Sequence, residues 1–145
     1  MRIIIQRVKQ ASVTIDKELH SSIKSGLLCF VGFCNDDTKD DFVWARKKLF
    51  NLKLFKNKQS LADINGDLLI ISQFTLYASI KKGMNPSWSK AANSNIASVL
   101  YNQFVDICKE KKCHNIQTGV FGANMNISCV NNGPLTLIID TKKRE

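Results

Sequence analysis

The sequence predicts an α+β fold: a β-rich, barrel-like domain with two flanking helices. Two observations carry that prediction. Strand-like segments, short and apolar or alternating, far outnumber the two stretches with helical spacing. The chain has only 145 residues, so a single domain over 1–145 must curve or close its sheet to cover it. With 44% hydrophobic and 23% charged residues, the chain can bury a core.

Ile3-Ile4-Ile5 and Ala11-Ser12-Val13-Thr14-Ile15 read as two strands, the second alternating polar and apolar. His20 to Ile23 has the length to pair with the second. Gly26 to Phe33 is a continuous apolar run, as in a strand buried on both faces. Asn35-Asp36-Asp37-Thr38 supplies turn and N-cap chemistry. Phe42, Val43, Ala45, Leu49 and Phe50 then recur at helical spacing, which predicts a helix over Lys39 to Asn51.

Leu52 to Phe55 reads as a short strand, Lys56 to Ser60 as a polar loop and Ile64 to Asp67 as a turn. Leu68 to Leu76 is the strongest strand pattern. Lys81 to Ser87 is a loop because Gly83 and Pro86 punctuate it. Ile96, Val99, Leu100, Phe104 and Ile107 mark a second helix, starting after Ser94 or Asn95 and ending near Lys111-Lys112. Val120 to Val130 reads mostly as strand, Asn131 to Pro134 as a turn, and Leu135 to Asp140 as a last strand. The charged tail, Thr141 to Glu145, is expected to fray.

Composition removes several function classes. No apolar run is long enough to span a bilayer, and charge comes too early for a signal peptide, so a cytoplasmic protein is expected. Five cysteines, an odd number, argue for a reducing compartment rather than a disulfide framework. Cys29 and Cys129 lie in apolar runs and read as core. Cys108-x4-Cys113-His114 lacks a second ligand pair, so no metal and no cofactor are expected. His20 and His114 both lie beside polar, turn-like segments, and the sequence gives a Cys/His or Ser/His/Asp hydrolase no support. The net charge of +9 fits an anionic partner, nucleic acid ahead of membrane, and fits simple solubility equally well.

Two segments stand out. Ser72-Gln73-Phe74-Thr75-Leu76 ends an apolar strand with three hydrogen-bonding side chains, where binding groups are often displayed. Asn131-Asn132-Gly133-Pro134-Leu135-Thr136 places one of only two prolines between strands, at the one kind of bond where cis is cheap. Taken singly, each also reads as ordinary structure: a strand leaving the core, and a hairpin turn.

Together the two segments resemble the paired signatures of the D-aminoacyl-tRNA deacylase (D-tyrosyl-tRNA deacylase) family, S-Q-F-T-L and N-x-G-P-[VF]-T. The likeness runs along essentially the whole chain. Gln6-Arg7-Val8 with Ala11-Ser12-Val13 is similar to the family's opening. Lys82 to Ser89 is similar to its central loop, and Gln117 to Met125 to the stretch before its last strands. The chain departs at Leu135, where Val or Phe is usual. It also departs at Phe55 to Asp63, which looks shortened and lacks a recognisable Lys-Met-Asn element.

The resemblance implies a homodimer with its active site at the subunit interface, hydrolysing the ester of D-aminoacyl-tRNA, and of glycyl-tRNA mischarged on tRNA-Ala. It implies a cis Gly133-Pro134 corner that enters the partner's pocket and holds the substrate α-amino group, so that an L side chain clashes. Asn131 belongs to that corner. Arg7 and Met125 would lock it and close the pocket, or serve as plain interface packing. The N–H groups of Phe74 and Thr75 would be oxyanion donors, with Gln73 and Thr75 positioning groups and Ser72 shaping the strand end. A nucleophilic Thr75 would need a base that this sequence does not offer. Lys81 and Lys82, or Arg46-Lys47-Lys48, would meet tRNA phosphates. Aromatics are not interleaved with them in sequence, so no base-stacking platform is expected. The rival readings are a relative that clears mischarged L-alanyl-tRNA, a non-catalytic nucleic-acid-binding module, and a Cys/His hydrolase.

Overall fold

The computed structural model describes residues 1–110 and 114–144. Six strands and two α-helices follow in the order β1 (Arg2–Ile15), β2 (Glu18–Ile23), β3 (Gly26–Gly32), α1 (Lys39–Asn51), β4 (Asp67–Ser72), α2 (Ser94–Lys109), β5 (Ile116–Thr118) and β6 (Asn126–Asp140). They form one mixed sheet in the order β2-β1-β3-β4-β5, with β6 on the other side of β1. β1 pairs antiparallel with β2, β3 and β6, while β3–β4 and β4–β5 are parallel. Ser21 on β2 donates to the carbonyl of Thr118 on β5 at 2.9 Å, so the ends of the sheet approach and the barrel nearly closes. The expected β-rich barrel with two flanking helices is the fold observed.

Two apolar clusters hold it. Phe42, Leu49 and Phe50 of α1 pack with Tyr101 and Phe104 of α2 over Ile3, Ile5, Leu27, Leu68 and Ile70 of the sheet. Inside the barrel, Val8, Val13, Leu28, Leu69 and Ile71 form the second cluster. β3 and β4 feed both clusters, which is why their sequences are apolar without alternation. α1 starts and ends where its spacing predicts. Its N-terminus carries a capping box, with the Asp41 carboxylate accepting from the N–H of Thr38 at 3.0 Å. No described helix is long and apolar enough to cross a membrane.

Several boundaries differ from those the sequence predicts. The first two strands are one continuous β1, because β6 pairs along its whole length. Leu52 to Phe55 is not a strand; only Phe55 makes an isolated bridge, to Gln59, closing a tight turn. The strong Leu68–Leu76 pattern leaves the sheet at Ser72, and Phe74–Tyr77 coils into a 3₁₀ turn. α2 begins at Ser94, capped by Asn93, whose side chain accepts from the Ile96 N–H at 3.0 Å. Its helical assignment ends at Lys109, and the expected end near Lys111-Lys112 lies outside the described residues, as does Cys113. The Val120–Val130 segment is strand only from Asn126, whereas Ile116–Thr118 pairs with β4 through a three-residue strand too short to show periodicity. Asn131 to Pro134 does not separate two strands; β6 runs through it.

Two burial expectations also change. Cys29 is buried, but Cys129 is exposed on β6, most of whose residues no described part of the chain covers. The tail does not fray over Thr141 to Arg144. Thr141 is buried and accepts from the terminal ammonium of Met1 at 2.8 Å. Lys142 and Arg144 reach Asp41 at 2.7 and 3.3 Å. Glu145 lies outside the described residues.

Candidate active site

A cavity of about 760 Å³ opens where β4 leaves the sheet. Ser72, Gln73 and Phe74 form its floor. Phe33, Trp88, Asn93, Phe121 and Met125 contribute to its walls, and no charged side chain among the described residues lines it. Of the residues singled out from the sequence, Ser72, Gln73, Phe74 and Met125 converge here. Thr75 adjoins them. Trp88 and Asn93 come from the connection before α2 and Phe121 from the one before β6, so they escape a motif reading, though Trp88 and Phe121 lie in stretches whose family likeness the sequence does display.

The floor is shaped by close backbone contact. The N–H of Gln73 donates to the carbonyl of Val31 at 2.8 Å, the last sheet-like bond before the 3₁₀ turn. Gly32 makes the approach feasible: a Cβ there would sit 2.8 Å from the carbonyl oxygen of Gln73 and 3.1 Å from the Cβ of Leu76. Leu76 donates back to the Gln73 carbonyl at 3.3 Å, and Ala78 to that of Thr75 at 3.0 Å. The N–H groups of Phe74 and Thr75 donate to no acceptor among the described residues, as the first N–H groups of a helical turn must. The side-chain amide of Gln73 donates to the Thr75 hydroxyl. Met125 reaches the wall over Gly119, where an added Cβ would lie 2.4 Å from its sulfur.

The second signature lies elsewhere. Gln6 on β1 faces Thr136 on β6, and Val8 faces Asn131. Asn132, Gly133, Pro134 and Leu135 therefore oppose Arg7 alone, and the chain bulges outward. The Gly133–Pro134 bond is cis, and both residues are exposed. The Asn131 side-chain amide folds over Gly133, 3.0 Å from where a Cβ would be. Arg7 ties the bulge down: Nε donates to the carbonyl of Asn132 at 2.9 Å, and Nη1 to that of Leu54. A shallower hollow of about 520 Å³ adjoins this corner, lined by Arg7, Asn132, Phe55, Lys56 and Gln59. The shortened loop thus borders the corner rather than the cavity.

Register places the two signatures apart. Ser72 is level with Ile3 through Val31, four β1 residues from Arg7 and three strands across from β6. Strand rise and spacing put Ser72 and Gly133 roughly 15–20 Å apart within one chain.

Lys81 and Lys82 sit on an exposed hairpin tip, closed by bonds of 2.8 and 2.9 Å between Ser79 and Ser87. Arg46 is occupied: it pairs with Glu110 of the α2 C-cap at 2.6 Å and donates to the Ile107 carbonyl at 3.3 Å. His114 stacks on Phe50, with ring centroids 4.9 Å apart, and approaches the Gly66 carbonyl. It lines none of the cavity. Burial pushes the thiols of Cys29 and Cys108 up, the latter to about 12, so neither is poised as a nucleophile. No cluster of metal ligands occurs among the described residues.

A nearly closed mixed barrel with two helices, holding an uncharged cleft at the end of its fourth strand, is an architecture shared with solved structures. One, described as the c-Myc DNA unwinding element binding protein, superposes with a TM-score of 0.90 at 31% identity, covering 97% of this chain and 98% of that one. Another, a probable eukaryotic D-amino acid tRNA deacylase, superposes at 0.83 with 17% identity and establishes the fold alone. Residues 4–140 match the family model described as D-Tyr-tRNA(Tyr) deacylase. The chain belongs to that family, and so is an ester hydrolase of the aminoacyl-tRNA deacylase type. Relatives named D-aminoacyl-tRNA deacylase include those of Flavobacterium psychrophilum, 45% identical over the whole of both chains, and Clostridium novyi, 47% identical over 99% of each.

Proposed function

We propose that this chain hydrolyses the ester joining a D-amino acid to the 3′ end of tRNA, releasing free D-amino acid and tRNA. The observation that carries this reading is the pair of uncommitted N–H groups on Phe74 and Thr75, at the floor of a cleft without charged side chains. Water adds to the ester carbonyl carbon, its oxygen becomes an oxyanion, and the bond to the ribose oxygen then breaks with a proton returned to that oxygen. Donors fixed in place for the oxyanion contribute roughly 3–4 kcal/mol to such a step. Among the described residues no carboxylate, imidazole or amine lines the cleft. The substrate's own 2′-OH is then the group best placed to activate water, with Gln73 and Thr75 positioning it.

The chiral filter in this proposal is a cross-subunit contact. Gly133 and Pro134 are exposed and lie far from Ser72 in the same chain, which supports a corner that reaches the cleft of a second copy. β6 supports a homodimer. It is an edge strand with Leu137 and Ile138 exposed, at 37% and 73%, the kind of edge that natural proteins keep covered. Carbonyls of the corner would hold the substrate α-amino group and leave an L side chain facing backbone, irrespective of its identity. Glycine, with no side chain to clash, would pass the same filter, which extends the substrates to glycyl-tRNA mischarged on tRNA-Ala. Lys81 and Lys82 would meet phosphates, and the site of action would be the cytoplasm, where charged tRNA is found.

The decisive experiment charges one tRNA with the D- or the L-form of the same amino acid and follows ester loss. Rapid loss of the D-form alone is expected. Equal rates on both would remove the chiral reading and favour a relative that clears L-alanyl-tRNA. No loss of either would favour the second reading, nucleic-acid binding without catalysis, for which the solved structure named as a DNA-unwinding-element binding protein is the motive.

A further inference from the structure

Phe74 and Trp88 lie fourteen residues apart in sequence, yet their rings meet edge to face, with centroids 5.2 Å apart and planes at 71°. Both residues remain open to solvent, at 55% and 42%, and both line the cavity. Backbone bonds fix the chain on both sides of Trp88. It follows directly on the Ser79–Ser87 closure of the hairpin, and its carbonyl accepts from the Ala91 N–H at 2.9 Å. The hairpin tip beside it carries Lys81 and Lys82, with Lys90 two residues beyond Trp88, all exposed. None of the three lysines makes an ion pair among the described residues. From Leu68 to Val105 the sequence contains no Asp or Glu at all.

An exposed aromatic pair, flanked along the chain by unpaired lysines in a stretch without acids, is matched by one kind of ligand: a flexible polyanion with flat, apolar bases. We propose that Trp88, backed by Phe74, is a stacking platform for an unpaired base of the single-stranded tRNA 3′ arm, next to the nucleotide that carries the ester. Lys81, Lys82 and Lys90 take the adjoining phosphates. This deepens the deacylase reading and rests on it for the identity of the nucleic acid. It also revises the expectation that no base-stacking platform exists: Trp88 lies between Lys82 and Lys90 along the chain, and the fold brings Phe74 against it.

The platform is separable from the chemistry by shortening the substrate. A D-aminoacyl ester of adenosine carries the reacting bond and none of the upstream nucleotides. Trp88→Ala is expected to raise KM for D-aminoacyl-tRNA about 5- to 150-fold, the range for losing one base–aromatic stack. It should lower kcat/KM on the adenosine ester far less than on D-aminoacyl-tRNA, and Trp88→Phe should restore most of the tRNA affinity. Equal losses on both substrates would show that Trp88 merely props Phe74, and an unchanged KM for tRNA would also overturn the platform. A binding readout covers the case of an inactive wild type. In a Trp44→Phe background, Trp88 is the sole tryptophan. Uncharged tRNA is expected to quench its fluorescence, and tRNA trimmed of its single-stranded 3′ end is not. Quenching by neither, or equally by both, would sink the proposal even if deacylation itself is absent.

Discussion

The Nε of Arg7 donates to the carbonyl oxygen of Asn132 at 2.9 Å, across the point where four residues of β6 face a single residue of β1. The same guanidinium also holds the Leu54 carbonyl, so one side chain fastens the exposed corner to the barrel and to the chain entering the shortened loop. Replacing Arg7 by Ala leaves two partly buried carbonyls without this donor. Stability is expected to fall by about 1–3 kcal/mol in denaturant unfolding. The D-over-L preference should fall further than Arg7→Lys makes it fall, because an ammonium cannot span both acceptors as a planar fork does. Unchanged selectivity in Arg7→Ala would detach the corner from chiral choice.

Gly32 lets the Gln73–Tyr77 turn lie against β3. A methyl group in Gly32→Ala meets the Gln73 carbonyl at 2.8 Å and must push the turn outward. A displacement of about 1 Å at reacting groups costs on the order of 100-fold in rate. We expect a fall in kcat of that order with KM changed much less, while overpacking lowers stability by about 1–3 kcal/mol. A kcat within twofold of wild type would mean that the turn does not carry the oxyanion donors.

Gln73 donates to the Thr75 hydroxyl, so that oxygen has a partner that cannot take its proton. Thr75→Val keeps the shape and the backbone N–H but removes the hydroxyl. Deacylation should drop by about tenfold or less if Thr75 only positions, whereas loss of a true nucleophile costs roughly 10⁴–10⁶. Single-turnover kinetics on D-aminoacyl-tRNA separates the two.

Asp41 couples the tail to α1. Its burial raises the carboxyl pKa, but hydrogen bonds from Lys142 and from the N–H and hydroxyl of Thr38, with the Lys142 charge, hold it well below the usual carboxylate range. The folded value lies below the unfolded one. The stabilisation is therefore complete above about pH 4 and is lost as pH falls toward the folded value. Asp41→Asn should lower stability at neutral pH by about 1–3 kcal/mol and flatten the acid limb of a Tm-against-pH curve. An acid limb as steep as wild type would assign the acid sensitivity to other groups.

Phosphate contact by the hairpin predicts a salt dependence. Each lysine that meets a phosphate of single-stranded RNA steepens log K against log salt by about 0.7. Lys81→Ala with Lys82→Ala should flatten the slope for tRNA by about 1.4, with kcat at saturating tRNA unchanged. Lys47→Ala on α1 tests the other basic cluster, and no change in slope is expected there.

The class of fold, the length of α1 to the residue and the two signatures are legible in the sequence, because each is written in neighbouring residues: apolar spacing, N-cap residues and contiguous polar side chains at a strand end. What it did not display arises between segments distant along the chain. β1 is one strand because β6 pairs along all of it. Leu68–Leu76 breaks at Ser72 because Gly32, forty residues earlier, admits a turn there. Cys129 is exposed because the face beneath it has no cover within one chain, and the tail is ordered because Asp41 on α1 binds it. The pairing of Phe74 with Trp88 and of Arg7 with Asn132 belongs to the same class. Contacts of this kind depend on sheet register and loop closure, which local periodicity does not encode.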